Sequence, residues 1–185
     1  MGQQTTGRSP LDIVAECMHP SRMKLPLLLY LGTTFAAAVP VAARAQTSDH
    51  AAILATVQHV FDAMRTRDTT LLHQAFDSTA RLVGISTRGV SPSVSLTSAS
   101  QFGAAITRAP AGDVWHERIY EPEVRIDGDV AQVWAYYTFH RNTVFSHCGV
   151  DAFMLLKVGG VWKITQLADS RRTDGCTHTE TPPGL

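Results

Sequence analysis

The last part of the chain most constrains what it can fold into. Two runs rich in β-branched and apolar residues, 148–158 and 161–171, are joined by Gly159-Gly160. A glycine pair between two such runs predicts a β-hairpin with a two-residue loop. The register that follows pairs Lys157 with Trp162, Leu155 with Ile164, Phe153 with Gln166, and Asp151 with Ala168.

The residues upstream predict helices followed by further antiparallel strands. Apolar residues recur at helical spacing from Ile53 to Met64, after the N-cap candidates Thr47-Ser48-Asp49. Asp127-Gly128-Asp129 predicts a second hairpin, and Pro122 predicts a bulge or bend in its first strand. The remaining predicted elements are a helix over Thr70–Phe76, a strand over Ala80–Ser86, a helix capped by Ser98 and Gln101, and strands over Val114–Ile126 and Val130–Arg141.

This order of elements resembles the NTF2-like superfamily. The resemblance rests on the Ile53–Met64 helix and on the turn Val158-Gly159-Gly160-Val161-Trp162-Lys163-Ile164. It is closest to secreted SnoaL-like or lumazine-binding-like bacterial proteins. It implies an α+β cone, in which a strongly bent antiparallel sheet has helices on its concave side around a pocket. The superfamily includes isomerases and dehydratases, but none of their catalytic sets matches here position by position, so no activity is carried over.

The N-terminal residues predict export. Met23-Lys24, the apolar run Leu25–Ala38 and the small residues Ala43 and Ala45 form the three parts of a secretory signal. We therefore expect a periplasmic or secreted protein with no membrane contact after cleavage. The predicted divisions are an over-extended N-terminus (1–22), a signal peptide (23–45), an NTF2-like domain (46–176) and a flexible tail (177–185).

The charged residues, histidines and cysteines limit which partners, cofactors and covalent bonds are expected for this chain. Removing residues 1–45 leaves 12 basic and 14 acidic side chains, with no basic stripe, so nucleic acid is not expected as a partner. No cofactor motif is visible. His116, His140 and His147 lack the spacing of zinc ligands, so no metal is expected. Cys148 and Cys176 remain after cleavage, and an even count in an exported domain predicts a disulfide.

The last hairpin predicts which side chains line the pocket. One face carries Phe153, Leu155, Trp162 and Ile164, which we assign to the concave side, with Asp151 and Gln166 as its polar members. The opposite face is too apolar for open water, which predicts a homodimer through it. The residues of that opposite face are Val150, Ala152, Met154, Leu156, Val158 and Leu167.

The preceding hairpin depends on its loop length. A three-residue loop places His116, Tyr120, Trp134, Tyr136 and His140 on one face and Glu117, Glu121, Glu123 and Arg125 on the other. A two-residue loop splits the first set, because a slip of one residue reverses the faces of a strand. We prefer the three-residue loop because it sorts aromatic from charged side chains.

Two functions follow, with a third reading beside them. The first is a binding module for a small, partly apolar molecule. The second is an isomerase or dehydratase with a His-Asp general base, and the third is a dimerisation domain with a vestigial pocket. The run Asp169-Ser170-Arg171-Arg172 is either an anion site at the mouth of the cone or a solvated strand end. The candidate catalytic residues are His140, Asp151 and Tyr136, and the candidate ligand-binding residues are His116, Tyr120, Trp134, Phe153 and Gln166.

Overall fold

Within residues 41–181, three helices form one layer of the fold. The structure is a computed structural model that describes residues 41–181, with side chains from residue 47 onward. The helices are α1 (Val41–Thr66), α2 (Thr69–Ala75) and α3 (Ala99–Arg108). None of the helices in this part of the chain is long and apolar enough to cross a membrane.

The helix ends follow local capping rules, with one exception. The Ser98 hydroxyl accepts from the Gln101 backbone N–H (3.2 Å), and the Gln101 side chain accepts from the Ser98 N–H (2.9 Å), as the capping box predicts. The predicted N-cap at residues 47–49 is wrong, because α1 begins at Val41. Asp49 instead accepts from Lys157 Nζ (2.7 Å) and Trp162 Nε1 (3.1 Å), which ties the helix to the sheet.

A six-stranded sheet forms the second layer, and the α+β fold class is confirmed. The strands are β1 (Phe76–Ser86), β2 (Ser93–Ser98), β3 (Trp115–Asp127), β4 (Val130–Arg141), β5 (Val144–Val158) and β6 (Val161–Arg171). Their order in the sheet is β2-β1-β6-β5-β4-β3. Only the β1–β6 pair is parallel in the described sheet, so the sheet is mixed where an antiparallel one was expected.

The core lies between α1 and the concave face of the sheet. Phe153, Leu155 and Ile164 are fully buried there, as predicted. Phe61 of α1 meets Phe153 edge to face, with 6.2 Å between ring centroids. Each such side chain contributes roughly 1.5–3 kcal/mol by leaving water. This face of the last hairpin is therefore the helix-facing side.

A bulge in β6 changes the register beyond Leu155. Leu155 opposes Ile164 as predicted, but Met154 opposes Gln166, because Thr165 is an extra residue in β6. The predicted partners of Phe153 and Asp151 are therefore wrong by one residue. Phe153 opposes Leu167, and Asp151 opposes Asp169. Leu167, expected on the outer face, is 8% exposed on the concave side, whereas Gln166 is exposed on the outer face.

A second bulge sets the β3–β4 register. The loop has two residues rather than three, since Asp127 pairs with Val130. An irregularity between Tyr120 and Glu123, at the predicted position of Pro122, then shifts the pairing by one residue. Beyond it His116 opposes His140 and Tyr120 opposes Tyr136, as a three-residue loop would have placed them.

The faces of β3 and β4 are the reverse of those predicted. Val133, Ala135, Tyr137 and Phe139 are buried on the concave side, because β5 pairs Val133 with Phe153 and Ala135 with Asp151. Glu117 opposes Phe139 and faces the concave side with it. The residues that therefore lie on the outer face are His116, Tyr120, Trp134, Tyr136 and His140.

A disulfide holds the end of the chain against the outer face. Cys148 and Cys176 are bonded, with 5.8 Å between their Cα atoms, as predicted. Residues 177–181, here called the strap, then cross β3 and β4. The Tyr136 hydroxyl donates to Thr177 O (2.9 Å), and His178 stacks on Tyr120 with 4.1 Å between ring centroids. The expected flexible tail thus contacts the sheet over these residues, while 182–185 and the expected segments over 1–40 lie outside the described residues.

Candidate functional site

A pocket of about 440 Å³ opens on the concave face of the sheet. Its apolar wall comes from the helices and from the middle of the sheet, and its polar end comes from the ends of β3, β5 and β6. The apolar wall contains Val60, Met64, Leu82, Phe102, Trp115, Phe139 and Leu167, and the polar end contains Glu117, His147, Asp151, Asp169 and Arg171. Arg141 and the exposed Ser95 also line it, so the pocket reaches solvent.

Three carboxyl groups converge at the polar end. Asp151 and Asp169 oppose each other on β5 and β6, which the β6 bulge makes possible. Glu117 reaches in from β3, and its carboxyl group is within hydrogen-bonding contact of the Asp151 carboxyl group. Two carboxyl groups can share such a bond only if one of them carries a proton.

Burial keeps that proton in place. Burial, together with the neighbouring charge of Asp169, raises the pKa of Glu117 to about 8. Burial and the charges of Glu117 and Asp169 also raise the pKa of Asp151 well above its ordinary value. Asp151 is 1% exposed, and its Oδ2 has no hydrogen-bond partner among residues 41–181. The pair therefore holds at least one proton at neutral pH.

An arginine balances the third carboxyl group. Asp169 and Arg171 are two residues apart on β6 and share a face. Arg171 donates through Nη2 to Asp169 Oδ1 (3.1 Å) and through Nε to Asp169 Oδ2. Gly84 of β1 makes room for this ion pair, since a Cβ there would lie 2.6 Å from Asp169 Oδ1. Asp169-x-Arg171 is therefore a built part of the pocket rather than a solvated strand end.

His147 supplies a neutral imidazole at the same end. Burial, with smaller effects of Arg88 and Arg171, lowers the pKa of His147 to about 4. Its Nδ1 lies 3.0 Å from Ser146 Oγ, and its ring is tilted against Phe139 with 4.9 Å between centroids. The imidazole is therefore uncharged at neutral pH and can donate or accept a hydrogen bond.

A buried tyrosine, Tyr137, lies close to the acidic residues. The Tyr137 hydroxyl donates to Ser170 O (2.9 Å). Burial and the nearby carboxyl groups of Glu117, Asp151 and Asp169 raise the pKa of this hydroxyl, so it stays protonated. Gly149 allows this contact, because a Cβ there would meet Ser170 O at 1.7 Å and Tyr137 Cε1 at 2.9 Å.

Of the residues predicted for the site, the structure places only Asp151 in the pocket lining. Phe153 lies in the core beneath it. His140 is fully buried on the other side of the sheet, where its Nε2 lies 3.3 Å from Thr179 O of the strap. His140 and Asp151 thus do not face one cavity. His116, Tyr120, Trp134, Tyr136 and Gln166 also lie on the outer face.

The sequence reasoning missed Glu117 and His147 and left Asp169 and Arg171 undecided. A signal was present in β4, where every second residue from Ala131 to Phe139 is apolar. That alternation marks the buried face more cleanly than the aromatic residues at 134 and 136. In the described part of the chain, no three His, Cys, Asp or Glu side chains gather closely enough to hold a metal ion.

Comparisons with known proteins agree with this architecture. A family model described as "putative lumazine-binding" matches residues 48–167. None of the curated proteins matches the chain. Several solved structures share its fold.

An NTF2-like protein of unknown function from Silicibacter pomeroyi is 24% identical, with a TM-score of 0.52 over 68% of this chain and 98% of that one. An NTF2-like protein with a cystatin-like fold from Novosphingobium aromaticivorans is 15% identical, with a TM-score of 0.57 over 75% and 91%. A protein from Streptomyces avermitilis described as a "putative dehydratase" of the NTF2-like family is 12% identical, with a TM-score of 0.52 over 69% and 98%. At these identities the likeness shows the fold.

Proposed function

We propose that this chain, which belongs to the lumazine-binding-like family of NTF2-like proteins, binds a small, partly apolar molecule in its concave pocket. The observation that carries the proposal is the division of the pocket into an apolar wall and one polar end. Ligand pockets in proteins have this composition, with a few polar groups that fix orientation. The volume of about 440 Å³ suits a molecule of two or three fused rings.

The polar end supports a defined orientation of the ligand. The apolar part of the molecule would contact Met64, Phe102 and Trp115, and its polar group would meet Glu117 and Asp151. At this end of the pocket, Asp151 Oδ2 is buried without a hydrogen-bond partner among residues 41–181. Such an atom costs about 1–3 kcal/mol, which favours a ligand that forms a hydrogen bond with it.

Direct binding measurements test this function. Calorimetry should measure the affinity of the protein for a series of small compounds. The first is lumazine, which the description of the family names, and a panel of two- and three-ring heterocycles follows. Ala105 lines the pocket from α3, so Ala105→Trp should fill it and abolish binding. Arg108→Trp, on the exposed last turn of the same helix, is the matched control and should bind normally. Binding that survives Ala105→Trp, or a panel without any ligand, would contradict the proposal.

A second candidate function is proton transfer on the bound molecule. The observation that favours it is a pair of groups whose pKa values are moved in opposite directions, Glu117 to about 8 and His147 to about 4. Between these values the carboxyl group is an acid and the imidazole a base. Glu117 and His147 lie on either side of Phe139 in one row of the sheet, about 10 Å apart at Cα. This pair replaces the expected His140-Asp151 base, which the fold separates.

Isotope exchange tests the second candidate. The Glu117 carboxyl group would give its proton to a ligand carbonyl oxygen while His147 takes one from the adjacent carbon, and the reverse step would return a solvent deuteron to that carbon. NMR in D₂O on cyclic ketones that bind should show this exchange, with a maximum between about pH 4 and 8. His147→Gln should abolish the exchange and keep the binding. Exchange that is equally fast in His147→Gln would rule the candidate out.

Export and dimerisation complete the proposal. The signal-like residues 23–45 and the Cys148–Cys176 disulfide support export, because disulfides persist in oxidising compartments. N-terminal sequencing of the protein from its host should find Gln46 first, whereas a chain that starts at Met1 or Met23 would contradict cleavage.

The exposed apolar residues of the outer face support a homodimer.

A further inference from the structure

The polar end of the pocket has more acidic than basic groups. Glu117, Asp151 and Asp169 all line it, while the guanidinium group of Arg171 is hydrogen-bonded to Asp169 and to no other carboxyl group of residues 41–181. Arg141 also reaches the pocket, but its guanidinium group is bonded to Asp113 outside the lining. The remaining groups that face the carboxyl pair are the neutral His147 and the Tyr137 hydroxyl. Glu117 and Asp151 thus form no ion pair within the described chain; the charge of Arg171 lowers the pKa of both, but burial outweighs it and both pKa values stay raised.

A buried, unpartnered oxygen points to what is missing. Asp151 lines the cavity, and its Oδ2 is buried and accepts no hydrogen bond from residues 41–181. The carboxyl pair compensates by holding a proton, which is the state that burial without a directly bonded counter-charge imposes. A cation that entered the pocket would take over the role of that proton.

We propose that the polar group of the ligand is a protonated amine, carried on an aromatic or apolar body, and that it binds between Glu117 and Asp151 with release of the shared proton. This inference rests on the proposed binding function and names the class of its ligand. An ammonium group has three donors, enough to satisfy both carboxylates and the Asp151 Oδ2 atom. The aromatic rings of Trp115 and Phe139 line the same pocket and also favour a cation at their faces.

The pH dependence of binding follows from the proton that is released. The pKa of Glu117 is about 8 in the free pocket, and a bound cation lowers it. Affinity for an amine therefore rises with pH, by up to tenfold per unit, until about pH 8, and then levels off while the amine stays charged. A neutral ligand that accepts a hydrogen bond from the protonated carboxyl pair shows the opposite trend. Its affinity falls above about pH 8, because Glu117 has then lost the proton that it donates.

Tryptamine and tryptophol make a matched pair of probes. They share an indole ring and an ethyl chain and differ in an ammonium or a hydroxyl group. Calorimetry at pH 5, 6.5 and 8 should show that tryptamine binds at least tenfold more tightly than tryptophol at pH 8, with the difference shrinking at pH 5. Runs in buffers of different ionisation enthalpy should show about one proton released per tryptamine at pH 6.5.

Two variants test the carboxyl pair itself. Glu117→Gln keeps the shape and removes the titrating group, so tryptamine affinity should fall to that of tryptophol and lose its pH dependence. Glu123→Gln, an exposed carboxylate of the same strand, is the control and should change neither. Asp151→Asn repeats the test if Glu117→Gln fails to fold.

The outcomes separate the two proposals. Equal binding of the two probes, tighter binding of tryptophol, or tryptamine binding without proton release would overturn the amine assignment and leave the pocket a binding site. If tryptamine fails to bind while a neutral heterocycle of the panel binds, the amine assignment is again wrong. If no compound binds, the proposed function itself falls, and the amine assignment with it.

Discussion

At the scale of single residues, two positions decide whether the pocket exists in its observed form. Glu117 brings a carboxyl group under the concave face, and Gly149 allows β5 and β6 to approach each other there. Neither role is visible in the residue type, because a glutamate on a strand is usually solvated and a glycine is usually a turn residue. Each role can be tested by one substitution.

Glu117→Gln should flatten the dependence of stability on pH. The folded protein keeps the Glu117 proton up to about pH 8, whereas the unfolded chain releases it near the ordinary value of 4.5. The folded state therefore binds more protons between these values, so the wild-type free energy of unfolding falls as pH rises across that window. We expect Glu117→Gln to lose about 3–4 kcal/mol less than wild type between pH 5 and 8.

Urea denaturation at several pH values measures this difference. Glu123→Gln serves as the control, since its side chain is 67% exposed on the outer side of the sheet, and it should follow wild type. Parallel wild-type and Glu117→Gln curves would show that the Glu117 carboxyl group is ionised in the folded protein.

Gly149→Ala should destabilise the protein strongly. The new Cβ would lie 1.7 Å from Ser170 O, a backbone atom that cannot move without opening the β5–β6 pairing. We expect a loss of about 3 kcal/mol or more in the free energy of unfolding. Gly89→Ala is the matched control, since its nearest contact would be 3.7 Å, and it should stay within about 0.5 kcal/mol of wild type. A stable Gly149→Ala protein would mean that the strands are further apart.

At the scale of elements, the strap depends on the disulfide. The strap contacts β3 and β4 through Thr177, His178 and Thr179, and the Cys148–Cys176 bond fixes the residue just before it to β5. The bond closes a loop over a sequence separation of 28 residues. Chain entropy of a loop of that size predicts a contribution of about 3–4 kcal/mol to stability.

The double variant Cys148→Ser/Cys176→Ser should lose that contribution and release the strap. Hydrogen exchange at Thr177, whose N–H bonds to the Tyr136 hydroxyl (2.8 Å), should become much faster. Hydrogen exchange at Phe153 in the core should become faster only by the amount that the lower global stability of the variant explains. Mass measurement after alkylation checks the premise, because two reactive thiols in the unreduced wild-type protein would show that the bond is absent.

At the scale of the whole molecule, the uncovered part of the outer face should form the dimer. The strap covers the outer face of β3 and β4 at Tyr120, Tyr136 and His140. Elsewhere on this face the apolar side chains remain accessible, with exposed fractions of 49% for Trp134, 38% for Met154 and 41% for Leu156. Apolar surface of this kind contributes about 25 cal/mol per Å² when buried, before the costs of association. Sedimentation at micromolar concentration should give two copies.

Met154→Asp should shift the protein to a monomer, because it places a charge in the centre of the expected interface. Val90→Asp is the matched control, since Val90 is fully exposed in the loop between β1 and β2, away from that face. A wild-type monomer at this concentration, or a dimer that Met154→Asp leaves intact, would contradict the interface.

The sequence by itself determined the fold class, the disulfide and all of the described elements except β2, which was not predicted. Helical periodicity from Ile53 to Met64, the Gly159-Gly160 turn and the capping box of Ser98 are local signals, so they hold wherever the segment lies. The cysteine pairing followed from the even count of cysteines in the expected exported domain, which does not depend on the strand register.

Only the tertiary structure decided which side chains meet in the pocket. Side chains alternate with a period of two, so one bulge residue moves every later side chain to the other face. The extra residue Thr165 turned Asp169 and Arg171 inward, and the contact of β4 with β5 turned Glu117 inward with them. The strap then covered aromatic and histidine side chains that, judged by residue type alone, belonged in a pocket. Bulges and the choice of face depend on partner strands distant in the chain, and for that reason local pattern could not supply them.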